Sequence, residues 1–404
     1  MKIDFGQFIN ALSDTIDLVG IDEIHHGKRV GFMARECARI MGALPAEQIK
    51  LYRLGLLHDC GVSSTRVHKK LVDELDWTES QRHCLTGAER VERFAPLAGF
   101  AQAIRYHHSR WEELKNTSID EKLKEEANLI FLLDRVDALV AMSGSHNRLA
   151  IRDSVCDKIS RYRKSYFKPE LVDILFAAAE REAFWITQQP EHLRSYLELK
   201  CSDPADLFLD TGQLTDMARL FAEIVDAKSP YTAEHCFGVT KLSGHLARRL
   251  GLPDETVTRM EVAGLLHDLG KLQVPDRILE SKGHLEGENL AIMRHHSYVT
   301  YMILSRIKGL EDISLWAANH HEKLDGSGYP FRRRESELSI ESRIIIVADI
   351  FQALAQNRPY RKPLAVHVIV DMLRQQVEDG KLDREVVSVI GSEPEVCQSI
   401  AMCD

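Results

Sequence analysis

The sequence predicts an all-α protein made of two tandem helical domains, and three observations support this prediction. Segments such as EQIKLYRLGLLHDCG and ETVTRMEVAGLLHDLG carry apolar residues at helical spacing and end at a glycine, as helices often do. Segments with the alternating pattern of strands are few. Only the β-branched run Arg343–Asp349 could equally be a buried strand. The third observation is an internal repeat.

The repeat is visible in the spacing of histidines around the two LLHD segments. An earlier histidine precedes the LLHD histidine by 32 residues in both halves, and a second histidine pair is 24 residues apart in both halves. A period this long with only two copies indicates a duplicated domain rather than a solenoid. The polar stretch that begins at Lys200 forms the boundary, so we predict domains at residues 1–200 and 201–404.

Composition limits the class of protein. The 404 residues are 44% hydrophobic and 28% charged, which is ordinary for a globular protein, and no apolar run is long enough for a membrane helix. The N-terminus MKIDFGQFINALSD lacks the apolar core of a secretory signal, and the eight cysteines form no CxxC pair. We therefore expect a cytoplasmic protein without membrane contact. The net charge of −9 argues against polymeric nucleic acid as a partner.

A recurring set of histidines and aspartates suggests metal binding. Its members in the second half are His235, His267, Asp268, His296, His320, His321 and Asp349. Core packing requires apolar volume, not imidazole, and imidazoles mixed with carboxylates suit iron, manganese, nickel or zinc. Neighbouring side chains on a helix diverge by about 100°. His267 and Asp268 can therefore serve one site if it is wide, with two metals and the aspartate between them. Such a pair suits in-line attack on phosphorus, which indicates phosphoester hydrolysis.

The segment after the last histidine pair has a shape of its own. Gly326 and Gly328 permit backbone conformations closed to other residues, and Pro330 fixes the direction in which the chain leaves. Together with Asp325 and Tyr329, these residues form a loop that we expect to shape the substrate entrance. The alternative is a rigid turn without substrate contact, in which Tyr329 simply packs.

The HD pair in LLHDLGK, together with HHEKLDGSGYP, resembles the HD-GYP family, a branch of the HD phosphohydrolase superfamily. The resemblance covers about residues 225 to 375 and includes YTAEH, VPDRIL and RPYR in the same order. It implies an all-helical, HD-type fold that binds two or three metals, usually iron or manganese. It also implies hydrolysis of a cyclic dinucleotide, either cyclic di-GMP or 3′,3′-cyclic GMP-AMP. The products would be a linear 5′-phosphorylated dinucleotide and, in a further step, mononucleotides.

The resemblance also implies roles for individual residues. It makes the seven histidines and aspartates of the second half metal ligands, with Asp268 bridging. Lys271 matches the family lysine that contacts the scissile phosphate or helps to protonate the leaving group, so Asp268 and Lys271 are the candidate catalytic residues. Arg358 and Arg361 match basic positions near the nucleotide, although a solvated helix end is the alternative for both arginines.

Departures from the family pattern limit the prediction. Tyr231 stands where some members have a glutamate that helps to hold a third metal, and Ser229 replaces a usual aspartate. We therefore expect two divalent ions, iron or manganese, with nickel, magnesium or zinc as alternatives. A homodimer and signalling-protein partners are further expectations. The alternative function is a non-catalytic cyclic-dinucleotide receptor that signals through protein partners.

The first half retains every ligand type but lacks the glycine-rich loop, and Val62 stands in place of Lys271. Its candidate ligands for a second metal site are His26, His58, Asp59, His83, His107, His108 and Asp134. Three interpretations are open: a regulatory or dimerisation domain that keeps metal as a structural staple, a phosphatase that removes the terminal phosphate from the linear dinucleotide, and a scaffold with ordinary core histidines. The complete ligand set argues against the scaffold. Cys60, Cys84 and Cys236 each follow a candidate ligand, and we expect small inert cysteines there rather than redox-sensitive ones.

Overall fold

The computed structural model describes residues 1–19, 25–62, 70, 80–145, 147–201, 206–228, 230–281, 283–357 and 362–403. Within these residues the chain forms 21 α-helices, five short 3-10 helices and two strands of three residues. The predicted all-α fold class is confirmed. None of the described helices is both long enough and apolar enough to cross a bilayer.

The chain divides into two compact units. The N-terminal unit comprises Phe8–Ala205, and the C-terminal unit comprises Asp206–Asp404 together with Met1–Gln7. The first seven residues belong to the C-terminal unit because strand β1 (Lys2–Asp4) pairs antiparallel with strand β2 (Asp206–Phe208). The backbone N–H of Lys308 also donates to the Gln7 side chain.

The described helices of the N-terminal unit surround a core rich in large aromatic side chains, among which Phe32, Phe131 and Trp185 are almost completely buried. The first helix begins in the C-terminal unit and continues into this one. The helices are α1 (Phe5–Asp17), α2 (His26–Ile40), α3 (Pro45–Leu57), α4 (Ser80–Glu92), α5 (Ala101–Tyr106), α6 (Trp111–Leu114), α7 (Glu121–Met142), α8 (Arg152–Ser160), α9 (Pro169–Ala179), α10 (Glu182–Ile186) and α11 (Pro190–Lys200).

The C-terminal unit repeats this arrangement. Five helices of the first unit have counterparts in the second. In each pair, both helices either contain or end next to the same histidine or aspartate of the repeat. The pairs are α2 with α13, α3 with α14, α4 with α16, α5 with α17 and α7 with α18. The described helices are α12 (Thr211–Lys228), α13 (Pro230–Arg249), α14 (Asp254–Leu266), α15 (Asp276–Leu279), α16 (Gly287–Leu304), α17 (Glu311–Ala318), α18 (Ile340–Ala355), α19 (Val366–Glu378), α20 (Arg384–Ser392) and α21 (Pro394–Met402).

The ambiguous run Arg343–Asp349 is helical and lies in α18. The side chain of Ser339 caps this helix by accepting from the backbone N–H of Ser342 at 3.4 Å. The residues from Ile344 to Ala348 are all buried. A helix that is apolar on every side at one point must be enclosed by others, and α13, α14, α17 and α21 pack against α18. Burial on all faces explains why this sequence resembles a buried strand.

Candidate metal centres

The seven predicted ligands of the C-terminal half lie together in one cluster. The HD pair directly follows helix α14, α13, α16 and α18 each contribute one side chain, and the 3-10 turn after α17 contributes two. All are buried except His321, whose side chain is 29% exposed and marks the open side of the cluster. The candidate ligands are His235, His267, Asp268, His296, His320, His321 and Asp349.

The carboxylate of Asp268 lies between two groups of histidines. Its Oδ2 atom is 3.3 Å from His267 Nε2 and 3.8 Å from His235 Nε2. Its Oδ1 atom faces the other way, 3.5 Å from His296 Nε2 and 3.9 Å from His320 Nε2. One carboxylate therefore presents one oxygen to each group, as a ligand shared by two ions does.

The second carboxylate of the cluster, Asp349, lies beside His235 and His321. The Oδ1 atom of Asp349 is 3.1 Å from His235 Nε2, and its Oδ2 atom is 3.5 Å from His321 Nδ1. Burial opposes the ionisation of Asp349, but His235 and His321 hold its pKa below the usual range. An ionised carboxylate beside neutral imidazoles is a donor set that divalent metals bind.

Hydrogen bonds fix the tautomer of four of these histidines. The Nδ1–H groups of His267, His296 and His320 donate to backbone carbonyls three residues earlier, at 2.7, 2.6 and 2.7 Å. The Nδ1 atom of His235 donates to Oε1 of Gln352 at 2.5 Å. Since a carbonyl only accepts, Nδ1 carries the proton in each ring and Nε2 is left as a lone-pair donor.

The electrostatics of the cluster fit bound cations. Burial and the nearby His321 lower the pKa of His296 to about 3, so this imidazole is neutral. Burial opposes the charge on Asp268, but His267 and Lys271 hold its pKa well below the usual range. Its Oδ1 atom is buried and accepts no hydrogen bond from the described residues. Such an atom costs about 1–3 kcal/mol, and a metal ion would remove that cost.

Lys271, the candidate phosphate-contacting lysine, lies beside the shared carboxylate. Its Nζ atom is 2.5 Å from Asp268 Oδ2, and 19% of the side chain is exposed. The backbone there is held by Thr300, whose hydroxyl accepts from the N–H of Gly270 at 2.9 Å and donates to the carbonyl of His267 at 3.1 Å. The ammonium group therefore lies at the edge of the cluster and is reachable from solvent.

The glycine-rich loop is fastened by a residue that the sequence analysis missed. Glu322 is completely buried, and its carboxylate accepts from the backbone N–H groups of Phe331, Arg332 and Arg333 at 2.6, 3.1 and 3.1 Å. Gly328 allows this arrangement, because a Cβ atom at that position would lie 2.4 Å from Glu322 Cα. The position of Glu322 directly after the histidine pair was the feature of the sequence that could have identified it.

The predicted loop residues lie close to the candidate metal-binding histidines. Gly326 has φ +78°, a conformation that favours glycine, and Asp325 accepts from the N–H of Ser327 at 2.9 Å. The ring of Tyr329 is 4.8 Å from the ring of His321. Pro330 follows it through a cis peptide bond. The loop thus packs on the exposed side of the cluster, and Tyr329 supports a candidate ligand.

The N-terminal unit contains a second cluster with the same geometry around Asp59. Oδ1 of Asp59 is 3.3 Å from His83 Nε2 and 3.7 Å from His107 Nε2, and Oδ2 is 3.6 Å from His58 Nε2 and 3.7 Å from His26 Nε2. Asp59 Oδ1 is also buried without a hydrogen bond among the described residues. The other predicted members complete the cluster: His26 Nε2 and His108 Nε2 are 3.5 and 3.4 Å from the two oxygens of Asp134.

Two charged residues distinguish the N-terminal cluster, and the sequence analysis missed both. His26 Nδ1 is 2.8 Å from a carboxylate oxygen of Asp137, which lies three residues after Asp134. At the equivalent position of the C-terminal cluster, three residues after Asp349, the amide of Gln352 contacts His235 instead. Arg135 is buried and donates to Asp134 at 2.8 Å. The corresponding C-terminal residue is Ile350. Repeat alignment of residues flanking the ligands was the signal that could have identified them.

Some predicted positions lie outside the described residues. These are Arg358 and Arg361, which we assigned to nucleotide binding, and Ser229. The side chain of Tyr231 also lies outside them. The assignments for these residues remain predictions. Val62, which replaces Lys271 in the first half, is described and buried.

Comparisons with known proteins identify the family. Models described as HD domain match residues 24–139 and 216–386. The chain is 38% identical to "3'3'-cGAMP-specific phosphodiesterase 1" of Vibrio cholerae over 96% of this chain and 91% of that protein. It is 30% identical to "3'3'-cGAMP-specific phosphodiesterase 3" of the same organism over 74% of this chain and 64% of the relative.

A match over a shorter segment and a match to a solved structure agree with this family assignment. A "Cyclic di-GMP phosphodiesterase" of Thermotoga maritima is 40% identical over 35% of this chain and 40% of the relative. A crystal structure of a cyclic GMP-AMP-specific phosphodiesterase of V. cholerae has the same fold, with a TM-score of 0.68 and 22% identity over 98% of this chain and 99% of that chain. The chain therefore belongs to the HD-GYP family of cyclic-dinucleotide phosphodiesterases, within the HD phosphohydrolase superfamily, and carries two HD domains in tandem.

Proposed function

We propose that the C-terminal unit hydrolyses 3′,3′-cyclic GMP-AMP to a linear 5′-phosphorylated dinucleotide with two divalent metal ions. The observation that carries this proposal is the position of the Asp268 carboxylate, with one oxygen facing His267 and His235 and the other facing His296 and His320. Iron or manganese is the expected metal because the donors are imidazole and carboxylate.

Each residue of the cluster has a distinct task in this proposal. His235, His267 and Asp349 would hold one ion, His296, His320 and His321 the other, and Asp268 would join them. When bound, the ions activate water as the nucleophile and stabilise charge on the attacking and leaving oxygens. The ammonium of Lys271 lies beside the shared carboxylate, so it can neutralise charge that develops on the phosphoryl group. The buried Glu322 keeps the loop in place on the exposed side.

The preference for the mixed nucleotide is supported by the extent of similarity. The relative that matches 96% of this chain is named for 3′3′-cGAMP, whereas the T. maritima cyclic di-GMP enzyme matches 35% of it. Homodimerisation, protein partners and cytoplasmic location stay predictions from the sequence.

Separation of reaction products by chromatography tests the substrate. We expect the purified, iron- or manganese-loaded protein to convert 3′,3′-cyclic GMP-AMP at least about tenfold more efficiently than cyclic di-GMP, a difference of about 1.4 kcal/mol in transition-state binding. Equal kcat/KM values would contradict the preference. Tight binding without turnover would contradict hydrolysis and favour the receptor function.

The N-terminal unit is proposed to hold a second metal centre that acts as a phosphomonoesterase on the linear product. Regulation is the alternative role. Catalysis is favoured by Arg135, whose buried guanidinium contacts Asp134 and gives this cluster a cation although Val62 replaces lysine. A guanidinium presents several donors in the geometry that a terminal phosphate accepts.

Release of inorganic phosphate from the 5′-phosphorylated linear dinucleotide distinguishes these two roles. We expect the wild-type protein to release phosphate and the His58→Ala/Asp59→Ala variant to lose at least about 100-fold in rate, because both groups of ligands depend on Asp59. A His267→Ala/Asp268→Ala variant is the matched control and should keep this activity. Equal phosphate release by all three proteins would contradict the phosphomonoesterase and leave regulation.

A further inference from the structure

A thiol lies inside the N-terminal cluster. Cys84 is completely buried, and its Sγ atom is 3.7 Å from His83 Nε2 and 4.0 Å from His107 Nε2. These two nitrogens are the same atoms that face Asp59 Oδ1, at 3.3 and 3.7 Å. The sulfur and the carboxylate therefore both lie beside the same pair of imidazole nitrogens.

The distances within this group fit a common ion. In tetrahedral coordination with metal–nitrogen bonds of about 2.1 Å and a metal–sulfur bond of about 2.3 Å, sulfur and nitrogen lie about 3.6 Å apart. The observed separations of Sγ from the two nitrogens are close to this value, and His83 Nε2 and His107 Nε2 are 3.2 Å apart. Small movements of these side chains would bring the sulfur and the two nitrogens to bonding distance of one ion.

An independent observation concerns the carboxylate oxygen that faces the same two nitrogens. Asp59 Oδ1 is buried and has no hydrogen-bond donor among the described residues. Asp59 is 7% exposed, so water cannot easily solvate this oxygen from outside. A cation between Asp59, His83, His107 and Cys84 would satisfy it.

The C-terminal unit provides the internal comparison. The position equivalent to Cys84 is Ser297, whose hydroxyl oxygen is 3.3 Å from His296 Nε2. The fold therefore places a small polar side chain beside the same ligand in both units. A neutral hydroxyl binds soft and borderline metals weakly, whereas a thiolate binds them strongly.

A second difference between the units also favours stronger metal binding in the N-terminal unit. The imidazole of His26 is backed by the carboxylate of Asp137, which Arg29 and Arg148 hold at 2.7 and 2.9 Å. The matching His235 is backed by the neutral amide of Gln352. A carboxylate behind a histidine raises its basicity as a ligand, so both differences strengthen metal binding in the N-terminal unit.

We propose that the thiolate of Cys84 is a ligand of the N-terminal metal centre. The sulfur makes that centre prefer Zn²⁺, Fe²⁺ or Co²⁺ over Mn²⁺ and Mg²⁺, whereas the seven candidate ligands described in the C-terminal centre offer nitrogen and oxygen donors. The proposal rests on the second metal centre proposed above. On binding, the sulfur–metal bond replaces the S–H bond and the proton passes to solvent, with no change of oxidation state.

Cobalt substitution of the full-length protein tests this ligand directly. Thiolate coordination to Co²⁺ produces an intense near-ultraviolet charge-transfer band, which nitrogen and oxygen ligands do not produce. We expect the band in the wild-type protein and in the control Cys60→Ser, because Cys60 is also buried but directs its thiol to the carbonyl of Gly87. We expect its loss in Cys84→Ser and Cys84→Ala, with the folded structure monitored by circular dichroism.

Metal affinity provides a second readout. In the His267→Ala/Asp268→Ala background, where the N-terminal centre is observed alone, Cys84→Ser should weaken Zn²⁺ binding about 10–100-fold and change Mn²⁺ binding little. A band that persists in both Cys84 variants, or a cobalt-loaded N-terminal centre without the band, overturns the proposal. Failure of the second centre itself has a different signature: the His58→Ala/Asp59→Ala variant would then bind as much cobalt as the wild-type protein.

Discussion

At the scale of single residues, the shared aspartate organises each cluster. Asp268 and Asp59 follow the last turn of α14 and α3, and each points its two oxygens at different histidines. The sequence could predict these positions because histidine and aspartate at repeated spacing are chemically distinctive. The contacts of Gln352 and Asp137 are visible only in the structure, since each depends on a histidine more than 100 residues away, although repeat alignment shows that the two positions correspond.

Replacement of Lys271 by methionine tests the proposed role of its ammonium. We expect kcat for the cyclic dinucleotide to fall about 10²–10³-fold, because a preorganised cation near the phosphoryl group is lost. Bound metal, measured by elemental analysis, should remain, since Lys271 is not among the ligands. Lys241→Met, at an exposed position on α13, is the matched control and should behave as wild type. An unchanged kcat in Lys271→Met would contradict the assignment.

At the scale of elements, the loop after the histidine pair depends on a buried charge. The glycines and the proline indicated a shaped turn, but nothing in their pattern indicated that Glu322 is enclosed, because glutamate is usually exposed. In helix α18 the sequence left the type of secondary structure undecided. Its run from Ile344 to Ala348 carries no helical periodicity because neighbouring helices cover every face, so only the structure distinguishes it from a strand.

Glu322→Gln tests how the loop is held. The amide would keep one accepting oxygen and place an NH₂ group against backbone N–H donors, so we expect a loss of about 1–3 kcal/mol in the free energy of unfolding. The KM for the cyclic dinucleotide should rise as the loop loosens. Urea unfolding and steady-state kinetics measure both effects. Glu335→Gln, an exposed residue that follows the loop, is the control. Equal stability and KM in the two variants would show that Glu322 does not fasten the loop.

At the scale of the whole molecule, the duplicated sequence has produced two units with similar clusters and different surroundings. The repeat predicted the fold class and brought together both candidate ligand sets. The short sheet between β1 and β2 was not predictable, because each strand has only three residues and the partners are about 200 residues apart in sequence. The differences at Val62, Cys84, Asp137 and Arg135 are the basis on which we propose different chemistry for the two units.

The most direct test of the central claim compares two double variants of the full-length protein. Product chromatography should follow the opening of 3′,3′-cyclic GMP-AMP by the wild type, by His267→Ala/Asp268→Ala and by His58→Ala/Asp59→Ala. We predict that the first variant loses at least about 10³-fold in diesterase rate, because both groups of C-terminal ligands depend on Asp268. The second should still open the ring. Full diesterase activity in His267→Ala/Asp268→Ala would contradict the assignment of hydrolysis to the C-terminal cluster.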